Sequence, residues 1–260
     1  MARRAAEIVA GAEMNILRID RLNKSFGSLT VTDDVSLAVG EGERHVIIGP
    51  NGAGKTSLIN QVGGQLKPTS GRVLLRDRDI TGASPERISR LGVGRTFQRN
   101  NLFQNLSVTE NIRLALQIRH GKPLDFFTPV AGSRGLSERA ADLMAQVHLA
   151  SDGNRIAREL SYGEQRQLEI AVALAGEPAL LLLDEPTSGM SPGETARIID
   201  LIAALPHSLT ILMIEHDMKV VFSVADRVTV LYYGKVLATG TPGEIQANDR
   251  VREVYLGMAR

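Results

Sequence analysis

The stretch His45-Val46-Ile47-Ile48-Gly49-Pro50-Asn51-Gly52-Ala53-Gly54-Lys55-Thr56 decides how the rest of the chain is read. Its first four residues are a short β-branched run that predicts a strand. A glycine-rich turn follows, and Leu58, Ile59 and Val62 then mark the inner face of an amphipathic helix. In a strand–turn–helix of this kind the backbone N–H groups wrap phosphate oxygens, and the helix N-terminus adds a favourable dipole. Glycine is required because phosphate comes close to the main chain. Lys55 is placed to reach the β- and γ-phosphates of a nucleotide, and the Thr56 hydroxyl to ligate Mg²⁺.

A second element lies downstream at Leu180-Leu181-Leu182-Leu183-Asp184-Glu185. Alone, a leucine-rich strand ending in acids reads as ordinary strand termination. Behind a phosphate-binding loop it reads differently, because ligands of α/β sheets collect at the carboxyl ends of the strands. Asp184 suits Mg²⁺, and Glu185 suits a general base that positions an attacking water. The third element, Leu160-Ser161-Tyr162-Gly163-Glu164-Gln165, keeps two readings open. Ser161-x-x-Glu164 is a capping box, while the Ser161 hydroxyl and Gly163 N–H at a helix start also form an anion site.

Around these motifs, strands alternate with helices. Residues 35–39 and 45–48 are strands separated by a Gly40-Glu41-Gly42 turn, and another strand begins at Val73. From about Pro85 to Leu160 the apolar period becomes helical. Ser107-x-x-Glu110 caps one helix there, and Ser137 opens another carrying Ala140, Leu143, Met144 and Val147. Residues 121–135, rich in glycine and proline, form a loop between them. Beyond Leu160 buried strands return at 180–183 and 210–214. The helix between them is opened by Ser191-Pro192-Gly193-Glu194, and a hairpin turns at Tyr233-Gly234. This alternation predicts an α/β fold with a largely parallel sheet covered on both faces.

Composition removes several alternatives. The 260 residues are 43% hydrophobic and 23% charged, enough apolar surface for a core. Thirty Lys and Arg against 29 Asp and Glu leave a net charge of +1, so the basic excess of a nucleic-acid protein is missing. With no cysteine, disulfides and thiolate metal sites are excluded. No apolar run approaches the roughly 20 residues that cross a bilayer. Residues 1–15 read as a flexible extension.

Five segments in order, GPNGAGKT, Arg95-Thr96-Phe97-Gln98, LSYGEQ, LLLLDEP and Ile214-Glu215-His216-Asp217, resemble ABC transporter ATPases over nearly the whole chain. RTFQ, LSYGEQ, IEHDM and the terminal Val254-Tyr255-Leu256-Gly257 are similar to the branched-chain amino acid importer subfamily, with its relatives for amides and urea. The resemblance implies a P-loop ATPase core over residues 16–260, an N-terminal antiparallel β portion and an inserted helical subdomain at about 99–160. It implies ATP bound by Gly49, Pro50, Asn51, Gly52, Ala53, Gly54, Lys55, Thr56 and Ser57, with Phe26 stacked on adenine. Mg²⁺ is held by Thr56, Gln98 and Asp184. Glu185, His216 and Gln98 serve hydrolysis, His216 holding the γ-phosphate.

The resemblance further implies two copies stacked head to tail, so that Ser161, Gly163 and Gln165 of one face the ATP of the other. Such a subunit sits peripherally on the cytoplasmic face of the inner membrane. There it pairs with a second ATPase subunit, identical or paralogous, and with permease subunits and indirectly a solute-binding protein. Asn100, Leu102, Phe103 and Val108 are expected to cradle a permease helix. Two positions depart from the pattern: Tyr162 stands where the family usually has glycine, and Ser191 where many relatives carry an aspartate that couples the two sites. A lipid-exporting ATPase and a soluble ABC ATPase acting on DNA or ribosomes are the rival readings. RTFQ and IEHDM argue against the first, and a single cassette without long heptads against the second.

Overall fold

A computed structural model describes residues 15–96, 102–120 and 134–256 of the chain. Its centre is a six-stranded sheet in the order β10-β9-β3-β8-β7-β6. These strands are β3 (Arg44–Ile48), β6 (Val93–Arg95), β7 (Leu180–Asp184), β8 (Thr210–Ile214), β9 (Arg227–Tyr232) and β10 (Lys235–Gly240). All neighbours are parallel except the β9–β10 hairpin. The central strands β3, β7 and β8 are buried at every position and mostly apolar, because both faces are covered. Successive side chains divide between two cores: Leu181 and Leu183 join one, Leu180 and Leu182 the other. Ile211 and Met213 separate from Leu212 and Ile214 in the same way.

On one face lies a four-stranded antiparallel sheet, order β2-β1-β4-β5, built from β1 (Asn15–Phe26), β2 (Leu29–Gly40), β4 (Ser70–Leu75) and β5 (Arg78–Asp79). Leu17, Ile19, Val35 and Val73 of this sheet share a core with Leu58, Ile59 and Val62 of α1 (Lys55–Val62). The helix of the phosphate loop is thus clamped between two sheets. On the other face, α3 (Val108–His120), α4 (Arg134–Gln146) and α5 (Tyr162–Leu174) pack through Ile112, Leu116, Ala140, Met144 and Leu168 onto the central sheet. The remaining α-helices among the described residues are α2 (Pro85–Arg90), α6 (Pro192–Ala204), α7 (Met218–Val224), α8 (Pro242–Ala247) and α9 (Asp249–Leu256).

Several expectations need correction. The helical period expected from Pro85 is broken by β6, which extends the parallel sheet beyond β7. Three residues, Val-Gly-Arg, are too few to display a period, and their pairing with Leu180–Leu182 is long-range. Helix α4 starts at Arg134 and not at Ser137, because Leu136 also packs on the core and carries the apolar period back one turn. Asn15, placed in the flexible extension, is the first residue of β1. Leu102 and Val108 are buried and cannot line a docking surface, whereas Phe103 is 60% exposed. The expectations for residues 1–14, Gln98, Asn100, the loop 121–133 and Gly257 lie outside the described residues.

Leu181 is fully buried between the central sheet and the helices. Leu181→Ala is expected to lower stability by about 2–5 kcal/mol, the usual cost of a core cavity, read as a lower urea midpoint with an unchanged slope.

Candidate active site

The phosphate loop runs from the end of β3 to the start of α1, and its shape is fixed by backbone packing. Gly54, the helix N-cap, has φ +98, and a Cβ there would lie 2.2 Å from the Val31 carbonyl oxygen of β2. Gly52 is also left-handed, at φ +79, but faces open space. The first glycine lets the loop pack against its own fold; the second leaves room in front of it. The β9–β10 turn closes one side, with Gly234 N donating to the Ala53 carbonyl and Asp33 N to that of Gly234. Lys55 is buried, and its ammonium donates to the carbonyls of Gly49 (2.8 Å) and Pro50 (3.1 Å). Burial pushes its pKa down while Glu185 and Asp184 pull it up. Phe26, 52% exposed, ends β1 on the hairpin whose second strand abuts Gly54, and Lys24 Nζ lies 4.8 Å from its ring.

Asp184 closes β7 with its side chain 1% exposed. One oxygen, Oδ2, stands 3.7 Å from the Arg95 guanidinium, while Oδ1 has no hydrogen-bond partner among the described residues. A buried carboxylate oxygen left unpaired is costly unless something else takes it. Burial raises the Asp184 pKa, and Arg95 opposes that. Hard oxygen donors are what Mg²⁺ prefers, so the free oxygen beside the Thr56 helix fits that ion. Arg95, at the end of β6, is itself anchored to Ile59 O and Asn60 Oδ1 at the far end of α1. Its role was not read from the sequence; the signal was a cation just ahead of Thr96, in a strand too short to recognise.

Glu185 follows in the left-handed region at φ 47, which turns its side chain off the strand direction. His216 Nδ1 lies 4.0 Å from Glu185 Oε1, so two expected catalytic groups from adjacent strands meet at the sheet edge. A third acid, which sequence reasoning passed over, organises them. Glu215 is fully buried; its Oε1 accepts from Thr187 N and Thr187 Oγ1 (2.7 Å), and its Oε2 from His216 N (3.1 Å). One carboxylate therefore fixes both the loop behind Glu185 and the backbone of His216. Only a buried acid inside a run of apolar strand residues could have given it away.

At the start of α5 the Ser161 hydroxyl accepts from Glu164 N, and Glu164 Oε2 accepts from Ser161 N, a full capping box. Arg155 pins the same Glu164 carboxylate at 2.9 Å. The cap uses a lone pair of the Ser161 oxygen and leaves its proton to donate, so the two readings of Ser161 do not compete. Ser161 is exposed, and Gln165 Nε2 is tied to the Leu160 carbonyl.

A sequence model of the ABC transporter family matches residues 32–188. The chain belongs to that family. A second model, for a branched-chain amino acid ATP-binding cassette transporter, matches residues 235–257. The chain is 43% identical over 251 residues to the high-affinity branched-chain amino acid transport ATP-binding protein LivG of Salmonella typhimurium, covering 94% of this chain and 98% of that one. BraF of Pseudomonas aeruginosa, named for the same transport, is 41% identical over 94% of this chain and 98% of its own. The lipopolysaccharide export protein LptB of Haemophilus influenzae is further away at 34%, with coverages of 94% and 98%. Among solved structures, a nucleotide-free ATP-binding cassette from an ABC transporter superposes with a TM-score of 0.81 at 32% identity, covering 93% of this chain and 99% of that one.

As an ABC cassette the protein binds ATP and is an ATPase coupled to transport. Its departures from the family pattern have local explanations. The Tyr162 side chain stacks under Arg166, whose guanidinium is 5.7 Å from the ring, and Gly189 approaches it from the loop after β7. Ser191 caps α6 in a second capping box with Glu194. Glu215→Gln is expected to cut ATP turnover about 10- to 100-fold, the scale of a small misplacement of reacting groups. The ATP KM should move little; steady-state kinetics separates the two.

Proposed function

We propose that the chain is the ATPase subunit that energises uptake of branched-chain amino acids, or related small polar solutes, on the cytoplasmic face of the inner membrane. The observation that carries the reading is Glu185 and His216 held 4.0 Å apart beside the phosphate loop and Asp184. Among the described residues no helix is long and apolar enough to cross a membrane, so the solute path belongs to permease subunits. The names of LivG and BraF, and the model matched by residues 235–257, favour import over the lipid export named for LptB.

Lys55 and the N-terminus of α1 balance the charge of the β- and γ-phosphates. Glu185 orients a water for in-line attack on the γ-phosphorus and takes its proton as the bond to the β-bridging oxygen breaks. His216 donates to the γ-phosphate oxygens and holds them in line. Thr56, Asp184 and Gln98 would hold Mg²⁺, which supplies charge neutralisation to the phosphate oxygens. The far wall of each ATP site comes from Ser161, Gly163 and Gln165 of a second ATPase subunit.

The permease docks on the helical subdomain, residues 99–160, and its seam with the core. A cavity of about 580 Å³ lies there between α3 and β6, lined among others by Gly94, Arg95, Leu182, Ala115 and Ile118. Ile118 is 85% exposed. A solute-binding protein delivers the solute on the other side of the membrane.

Glu185→Gln is expected to reduce hydrolysis about 100- to 10,000-fold, the usual worth of a general base, while equilibrium ATP binding persists. Normal turnover would overturn the assignment. Ile118→Glu is expected to weaken recovery of the co-expressed permease about 30-fold or more, as loss of an interface anchor does, with isolated ATPase activity retained. Unchanged recovery would move the docking site elsewhere.

A further inference from the structure

The N–H of Gly163 is already engaged within one chain. It donates to Glu194 Oε1 at 3.1 Å. The approach depends on the absent side chain, because a Cβ on Gly163 would lie 2.9 Å from Glu194 Cγ and 3.0 Å from Oε1. The other oxygen of the same carboxylate, Oε2, accepts from Ser191 N at 3.0 Å and from Ser191 Oγ at 2.7 Å. A single side chain thereby ties the start of α5 to the start of α6. The Ser191 hydroxyl, followed by the Ser191 and Gly163 N–H groups, holds the Glu194 pKa below the usual carboxylate range, so the acceptor is an anion.

A carboxylate and a terminal phosphate oxygen are the same kind of partner for a backbone N–H at a helix start. One N–H makes one well-aligned bond, and two anions crowding it repel each other. We propose that Glu194 is the resident occupant of the anion site at the start of α5: it holds the Gly163 N–H while subunits are apart and gives it up to the γ-phosphate carried by the partner. This rests on the reading that Gly163 faces a partner's ATP. Glu194 touches no reacting atom and is a positioning residue. Its release also frees Ser191, at the position where many relatives carry the aspartate that couples the two sites. The carboxylate thereby sets the threshold for closure.

The test is ATP-driven pairing of the full chain carrying Glu185→Gln, with itself or with its companion ATPase subunit, followed by light scattering across protein concentration. Glu194→Gln keeps the capping-box partner and a neutral acceptor but loses the charge. It is expected to lower the concentration for half-pairing about 3- to 10-fold, the difference between a charged and a neutral hydrogen bond. Glu194→Ala, which removes the competitor, should lower it about 5- to 30-fold. Ser191→Ala leaves the Gly163–Glu194 bond in place and should shift pairing less than either. If Glu185→Gln pairs with ATP but both Glu194 variants pair at the same or higher concentration, the proposal is overturned and the paired site stands. If Glu185→Gln itself fails to pair, the paired-site reading falls and takes the proposal with it.

Discussion

A carboxylate sealed inside the fold, with one oxygen unanswered among the described residues, is the constraint on which the rest of the site depends. Asp184 is buried at the end of β7, so its charge must be balanced from within. Arg95 takes one side from beneath α1, and Lys55 contributes from the loop above. The two cations are in turn held by main-chain carbonyls, Ile59 for one, Gly49 and Pro50 for the other. Charge at the sheet edge is therefore organised by the same backbone that gives the phosphate loop its curve. Removing any one of these groups leaves another buried charge without its counterpart, which is why the cluster behaves as a unit.

What was legible in the sequence follows from how local each signal is. The phosphate loop, the Leu180–Asp184 strand and the capping boxes at Ser107, Ser161 and Ser191 are short-range patterns, and each sits where its spacing placed it. Thr241 and Glu244 form one more box of the same spacing at the start of α8. The failures are non-local. Strand β6 exists because β7 offers it an edge, and nothing in Val-Gly-Arg announces that. Leu102 and Val108 are buried by the packing of α3, though their neighbour Phe103 remains exposed.

The candidate site shows the same division. Lys55, Asp184, Glu185 and His216 were readable because each lies in a motif, and the fold gathers them from three parallel strands. Glu215 and Arg95 stand in quoted motifs too, but their roles do not show there, since their value comes from partners distant in sequence: Thr187 for one, Asn60 and Asp184 for the other. Glu194 was seen only as a helix cap. Its second bond, to Gly163 31 residues away, depends on how α5 and α6 cross.

The Lys55 ammonium, bonded to two carbonyls of its own loop, has a thermodynamic consequence. The loop keeps its arch with those bonds in place, so little chain entropy remains to be lost when a nucleotide arrives, and most of the contact energy is available as affinity. The incoming phosphate has only to draw one flexible amine a short way from oxygens that gave it temporary shelter. A loop held in shape by its own backbone loses little on binding, and a machine that cycles through loading and discharge needs that.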